Sequence, residues 1–432
     1  MRDRPARPAP PDRGRIDTRI VDTIDRVPDQ LRRRLSLFSL TLLVGLGMSS
    51  WITRTPDVRD ALGASTAGMG LVLFGLSVGS MTGVLSAGPI VRRRGARPVI
   101  LVGSLLVVAG VAIIGLAASA GLAAGAFAGL LLVGLGGGLG EIGLNIEGAA
   151  LEVESGRPVL PALHGSFSLG TVVGALVGIA LTALDFPVVW HLLAMAAVMA
   201  ALVAWATPGI PAATGREEAR EAREAGAPRE RRPSVWRDGR LVLIGVVVLA
   251  MAFAEGAAND WLPLLMVDGH GMSATHGSLV YAGFAAAMTV GRFSGGPVVE
   301  RFGRAAVLSV SALCAIAGIL AVVFAPSPVV AGVAVALWGL GASLGFPVAI
   351  SAAGDDPERG AGRVSAVATS GYLAFLVGPP LLGFLGEHLG LRLAMLAVVV
   401  LLVVAVFAAR AATPRPRVTP PAPPAESRAR SR

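Results

Sequence analysis

The chain has 432 residues, 54% of them hydrophobic and 15% charged, with a formal net charge of +9 and a mean hydropathy of +0.70. A soluble domain carries about 25% charged residues, so this chain lacks the polar surface to fold in water, and a bilayer is its expected solvent. Every basic residue is an arginine, and the arginines sit in tails and short loops rather than on one face, which argues against a nucleic-acid partner; a single cysteine, Cys314, leaves no disulfide framework or cysteine-based metal site within the chain.

Residues 1–34 are rich in Pro and Arg, too long and polar for a secretory signal, and read as a disordered cytosolic tail. A membrane span needs about 20 apolar residues. Twelve runs of that kind follow, near 35–53, 67–91, 98–118, 122–150, 159–183, 187–207, 241–266, 274–299, 305–325, 328–353, 364–386 and 389–409. Such a run must satisfy its own backbone hydrogen bonds, so helix is the natural form. The short alternating segments of a β-barrel are not present. The expected fold is an all-α membrane protein of twelve transmembrane helices in two six-helix bundles, 35–207 and 241–410. A charged cytosolic linker, 208–240, divides them, and 411–432 form a second disordered cytosolic tail.

Positive charge stays on the cytoplasmic side. With the N-terminus inside, Arg32–Arg34, Arg92–Arg94, Arg97, Arg157, Arg301, Arg304, Arg359 and Arg363 all fall inside. Arg54, Arg59 and Arg392 are the few outside. An even number of spans returns the C-terminus to the cytoplasm.

Polar residues inside the spans are the candidates for function, because each is costly in hydrocarbon. The first span offers Trp51, either a cavity residue or part of an interfacial belt. The fourth and fifth form a glycine-rich stretch, Gly134 to Gly178, that places Glu141, Asn145, Glu147 and His164 where leucine would fit. Glu141 and Asn145 are four apart and share a helix face. A carboxyl there can take up a proton and release it as a cavity opens to either side. Asn145 can donate and accept toward a hydroxylated solute, or it can tie spans four and five together. Glu147 lies nearer the cytoplasmic end, where it can serve substrate or proton, form a salt bridge, sit at a solvated helix end, or contact His164. His164 titrates in the range a proton relay needs, or it is hydrogen-bonded at a helix end.

The seventh span repeats the spacing with Glu255 and Asn259, followed by Asp260 and Trp261. Asp260 is expected nearer the outer face, as a cap or a gate, and Trp261 in an interfacial belt. Arg292 ends the eighth span and reads as a structural latch to a carboxylate or to helix carbonyls. Tyr372 in the eleventh can line the cavity or pack. Pro379 and Pro380 should bend that span. Glycines such as Gly134, Gly138, Gly140, Gly170, Gly174, Gly178, Gly378 and Gly383 should let helices approach closely.

The halves repeat. Gly83, Ser86, Gly88, Pro89, Val91, Arg93 and Gly95 recur as Gly291, Ser294, Gly296, Pro297, Val299, Arg301 and Gly303, seven identities in thirteen ungapped positions at a constant offset of 208. A same-direction repeat of six spans implies two bundles related by a pseudo-two-fold axis along the membrane normal.

With these residues the sequence resembles the major facilitator superfamily over roughly residues 35–410. The paired loops are similar to that family's loop signature: Gly88 and Gly296 take its first glycine, Arg93 and Arg301 its first arginine, Gly95 and Gly303 its second glycine. Its acidic position is Arg92 in one copy and Glu300 in the other. In the family that acid latches helices on the cytoplasmic side, a role the resemblance gives to Glu300. Glu141 and Asn145 resemble the fourth-span pattern of the fucose permease branch and of little-characterised bacterial relatives close to it. That branch carries a second acid in span one, where this chain has Ser49, Ser50 and Trp51. The resemblance implies a proton-coupled secondary carrier of a small polar solute in the bacterial inner membrane, working by alternating access as a monomer among lipids. A drug or metabolite exporter on the same fold and a non-transporting membrane sensor are the rivals. The chain has no phosphate loop, metal-ligand spacing or nucleophile–base constellation, so no enzyme chemistry, cofactor or metal is expected.

Overall fold

Each apolar run satisfies its backbone as a helix. The computed structural model describes residues 18–156, 159–216, 238–354 and 360–413, and among them every regular element is helical. The first 17 residues, most of the linker, the distal C-terminal tail, Arg157 and Arg359 lie outside the described residues. The first half comprises α1 (Thr18–Ile52), the short α2 (Thr55–Leu62), α3 (Thr66–Arg94), α4 (Ala96–Ser119), α5 (Ala123–Ser155), α6 (Leu160–Ala183) and α7 (Val188–Ala206). The second comprises α8 (Gly239–Leu264), α9 (Ala274–Phe302), α10 (Arg304–Phe324), α11 (Pro328–Ser343), α12 (Gly345–Ala353), α13 (Gly360–Leu389), α14 (Leu391–Ala394) and α15 (Leu396–Ala408). A π-helical turn over Leu265–Gly269 prolongs α8.

Eleven segments among the described residues are long and apolar enough to cross a membrane. The twelfth expected span is α9, which has the length, 29 residues, but carries His276, Arg292, Glu300 and Arg301. Two spans are broken into helix pairs, at Leu344 and at Met395. Helix α13 runs unbroken through Pro379 and Pro380. The first helix begins at Thr18, upstream of the boundary expected at residue 34.

The repeat extends to whole helices. Helices α3 and α9 are both 29 residues long, and the same offset carries every landmark of one onto the other. Ser65 and Ser273 cap their N-termini, accepting from the backbone N–H of Gly68 and His276. Pro89 and Pro297 sit inside them, and Gly95 and Gly303 end them at φ +87° and +78°, a backbone region that glycine enters without penalty. Gly95 packs against the Ala212 carbonyl, and the Ala96 N–H donates to the Thr214 carbonyl at 2.9 Å, so the start of the linker lies on the first-half loop. Among the described residues none comes within 4 Å of a methyl added at Gly303.

Hydrocarbon gives helices no hydrophobic reason to associate, so close backbone packing must do it. Helices α3 and α5 cross at Gly79 and Gly134, where a methyl on either would overlap the carbonyl of Leu131 or Leu76. Helices α1 and α6 cross in the same way at Gly45 and Gly170, against the carbonyls of Phe167 and Leu42. Gly140 lies outside such a contact, with open space around it. Large apolar side chains such as Leu71, Phe293, Phe324, Val329 and Phe407 remain exposed on the outside, where a bilayer would cover them.

The halves meet most closely at the end opposite Arg92–Arg94 and Arg301. There α3 and α13 touch at Gly70 and Gly383, with Trp261 packed into the crossing. Trp261 is fully buried rather than part of an interfacial belt. At this end Arg59 pairs with Asp268, the Ser278 hydroxyl donates to the Thr53 carbonyl at 2.8 Å, and the Ala67 N–H donates to a Glu387 carboxylate oxygen at 3.0 Å. Each of these contacts joins one half to the other.

Candidate solute cavity between the bundles

A cavity of about 380 Å³ lies where the two halves face each other. It receives Thr41 from α1, Ser77 and Ser80 from α3, Glu141 and Asn145 from α5, His164 and Phe167 from α6, Glu255, Asn259 and Asp260 from α8, and Phe375 from α13. The four-residue spacing explains the arrangement. Glu141 with Asn145, and Glu255 with Asn259, each present one helix face to the same space.

All five residues expected to bind solute or protons, Glu141, Asn145, His164, Glu255 and Asn259, line this cavity. Asp260 lines it too, next to Trp261, which packs at the crossing where the halves meet. Its helix continues for several residues beyond it and into the π turn, so Asp260 is well inside the bundle. The other expected residues lie elsewhere. Trp51 is 1% exposed and packed in the core. Tyr372 is not in the lining, though it is near enough to Glu141 to feel its charge. Glu147 is fully buried and pairs with Arg33 of α1 rather than with His164. Arg33 also reaches Glu154 at 2.6 Å. Among the loop-signature residues, Arg93, Gly296, Glu300 and Arg301 are exposed. Gly88 has open space except toward the Arg92 side chain. The Arg301 guanidinium lies 5.4 Å from the centre of the Phe302 ring.

The carboxyl groups in the cavity are not equivalent. Glu255 is bonded to Arg292 of α9 at 2.9 Å, so the expected latch is formed and its carboxylate is the one at the cavity wall. His164 feels the Arg292 charge. Glu141 and Asp260 also line the cavity, and neither has an ion pair or side-chain hydrogen bond among the described residues. The hydroxyl protons are committed: Thr41 donates to the Leu37 carbonyl at 2.9 Å and Ser77 to the Phe375 carbonyl at 2.6 Å. Their remaining lone pairs are acceptors. The Tyr281 hydroxyl donates to the Asn259 side-chain oxygen at 3.4 Å, which leaves the amide N–H groups of Asn259 to donate. Sequence reasoning missed Tyr281. A tyrosine in an apolar run looks like packing until its partner on another helix is known.

Comparison with known proteins decides the family. The sequence profile of the Major Facilitator Superfamily matches residues 37–373 and again 278–432. The chain belongs to the major facilitator superfamily. Among superfamily relatives it is 30% identical, over 90% of its length and 96% of the relative's, to an uncharacterized MFS-type transporter of Yersinia pestis. It is 28% identical to a chloramphenicol resistance protein of Pseudomonas aeruginosa, over 82% of each chain. Its fold is that of the solved nucleoside transporter NupG (TM-score 0.67, 16% identity, 88% of this chain and 98% of that one). It is also that of the fucose:proton symporter FucP of E. coli (TM-score 0.59, 19% identity, 88% and 98%). This superfamily member is therefore a multi-pass membrane transporter for small-molecule solutes, not an enzyme.

Proposed function

We propose that this transporter moves a small polar solute across the bacterial cytoplasmic membrane, coupled to protons, by alternating access. The observation that carries the reading is the convergence of Glu141 from one half with Asn259 and Asp260 from the other in a single cavity. A polar pocket shared by two otherwise apolar bundles is where a rocking motion would exchange access. Arg292 already balances Glu255. Among the described residues Glu141 has no such counter-charge, which makes it the group to load a proton. Asn145 and Asn259 are placed to hydrogen-bond the solute, and His164 to pass protons between cavity and water.

The arginine-rich end belongs in the cytoplasm by the distribution of positive charge, with both termini there and the monomer as the working unit. The cross-half contacts shut the opposite end, so the cavity opens inward in this state. A metabolite thermal-shift screen on the purified protein would supply the solute. Proteoliposomes with an inward proton gradient should then accumulate it. Glu141→Gln should still equilibrate it but lose gradient-driven accumulation. Unchanged proton dependence in Glu141→Gln would rule Glu141 out.

Export is the second reading, supported by the similarity to the chloramphenicol resistance protein. It predicts that a deletion strain becomes hypersensitive to hydrophobic cations, and that eversion of the vesicles is needed to see accumulation.

A further inference from the structure

We propose that the cavity selects a solute bearing an ammonium group, and that Asp260 is the carboxylate that receives it. This rests on the reading of the cavity as the solute site. Three carboxyl groups line that space, Glu141, Glu255 and Asp260. Arg292 is bonded to Glu255. When Glu141 carries the coupled proton it is neutral. Asp260 then remains as the carboxyl without a counter-charge among the described residues, and its charged form is strongly unfavourable there unless a cation joins it. A neutral solute would leave it without that partner. A carboxylate solute would bring negative charge and no partner. An ammonium group supplies one.

The rest of the wall is suited to the same guest. The Thr41 and Ser77 hydroxyl protons are turned to helix carbonyls, so both hydroxyls are left as acceptors in the lining. Phe167 and Phe375 also line the cavity, and aromatic rings attract cations. The basic group in the lining is His164, on the far helix α6. The amide N–H groups of Asn259, one residue before Asp260, can donate to a hydroxyl oxygen elsewhere on the same solute.

The test uses matched probes on the full-length protein: ethanolamine, putrescine and glucosamine; their neutral counterparts ethylene glycol, 1,4-butanediol and glucose; and the carboxylates glycolate, succinate and glucuronate. Thermal stabilisation is read for each across a concentration series. At least one amine should half-saturate at a concentration about tenfold or more below its neutral counterpart. Asp260→Asn should remove that advantage, and Asp260→Glu should restore much of it. Independently of any variant, carbodiimide modification of Asp260, mapped by mass spectrometry, should be slowed by choline, an ammonium probe with no N–H to couple to the activated carboxyl, and not by ethylene glycol. Stabilisation by a neutral or carboxylate probe instead, weakened by Asn145→Ala, would overturn the ammonium proposal and leave the cavity as the solute site. Stabilisation indifferent to Glu141→Gln, Asn145→Ala and Asp260→Asn would overturn the cavity reading itself. An absence of any ammonium effect, in both assays, would also overturn the proposal.

Discussion

Arg33 and Glu147 show what a carboxyl inside a bundle demands. Glu147 has no exposed surface, and its counter-charge comes from a helix more than a hundred residues earlier in the chain. Removing one member of such a pair strands the other, at a cost of about 3–5 kcal/mol. Arg33→Met should therefore lower the melting temperature in detergent sharply, and Arg33→Met with Glu147→Met should recover most of the loss. Equal losses in the single and double variants would mean the pair contributes little. The Glu255–Arg292 pair is partly exposed, so water softens the same effect. Arg292→Ala should disturb transport more than folding, seen as lost uptake at a nearly normal melting temperature. The cavity residues were legible in the sequence because acids and amides interrupt runs that should be leucine. Their partners were not. Helical period gives the face on which Glu147 lies but not the helix opposite it, and Arg33 read as part of a solvated tail.

At the scale of the helix, glycine sets the spacing. A side chain at Gly79 or Gly134 would displace the partner backbone, since the contact is with a carbonyl and not a flexible side chain. Gly79→Leu and Gly134→Leu should abolish recovery of folded protein. Gly137→Ala, on the same helix as Gly134 but with nothing within 4 Å of the added methyl, should fold normally and melt at or above the wild-type temperature, as alanine's higher helix propensity dictates. Size-exclusion profiles and melting curves check both. Spans, their order and the six-plus-six repeat were readable from apolar run lengths and from the 208-residue offset. The breaks at Leu344 and Met395 were missed: Gly345 and Pro347 beside the first were the available signal, and the second has no proline or glycine next to it. The short helix α2 was also missed. It depends on Arg54, read as a loop arginine but only 2% exposed. Its guanidinium donates to Asp57 at 2.8 Å, to the Phe186 carbonyl at 2.5 Å and to His191 at 3.2 Å. Those bonds fix where α1 stops and α2 starts, and two of the three partners, Phe186 and His191, come from a distant part of the chain.

For the whole molecule, the contacts between halves matter most. Burial works against the charge on Arg59, but hydrogen bonds to Asp268 and Asp60 outweigh it and hold the guanidinium above its usual range. That tie persists at any physiological pH. It is nonetheless a partly exposed pair, of a kind that contributes at most about 1 kcal/mol, and Glu387 on the α3 terminus adds a second small tie. Closure at this end is thus made of several weak contacts, as a carrier that must open there requires. Arg59→Ala with Glu387→Gln should shift the population toward the state open on that side. The central claim is that the two bundles enclose a water-accessible space that opens to alternate sides, and sided labelling tests it most directly. In a Cys314→Ser background, Ser80→Cys should react with a membrane-impermeant maleimide applied from the cytoplasmic side. The Arg59 and Glu387 changes should raise its labelling from the other side. If Ser80→Cys resists the impermeant reagent from both sides and yields only to a lipid-soluble one, residue 80 faces acyl chains and there is no cavity to open.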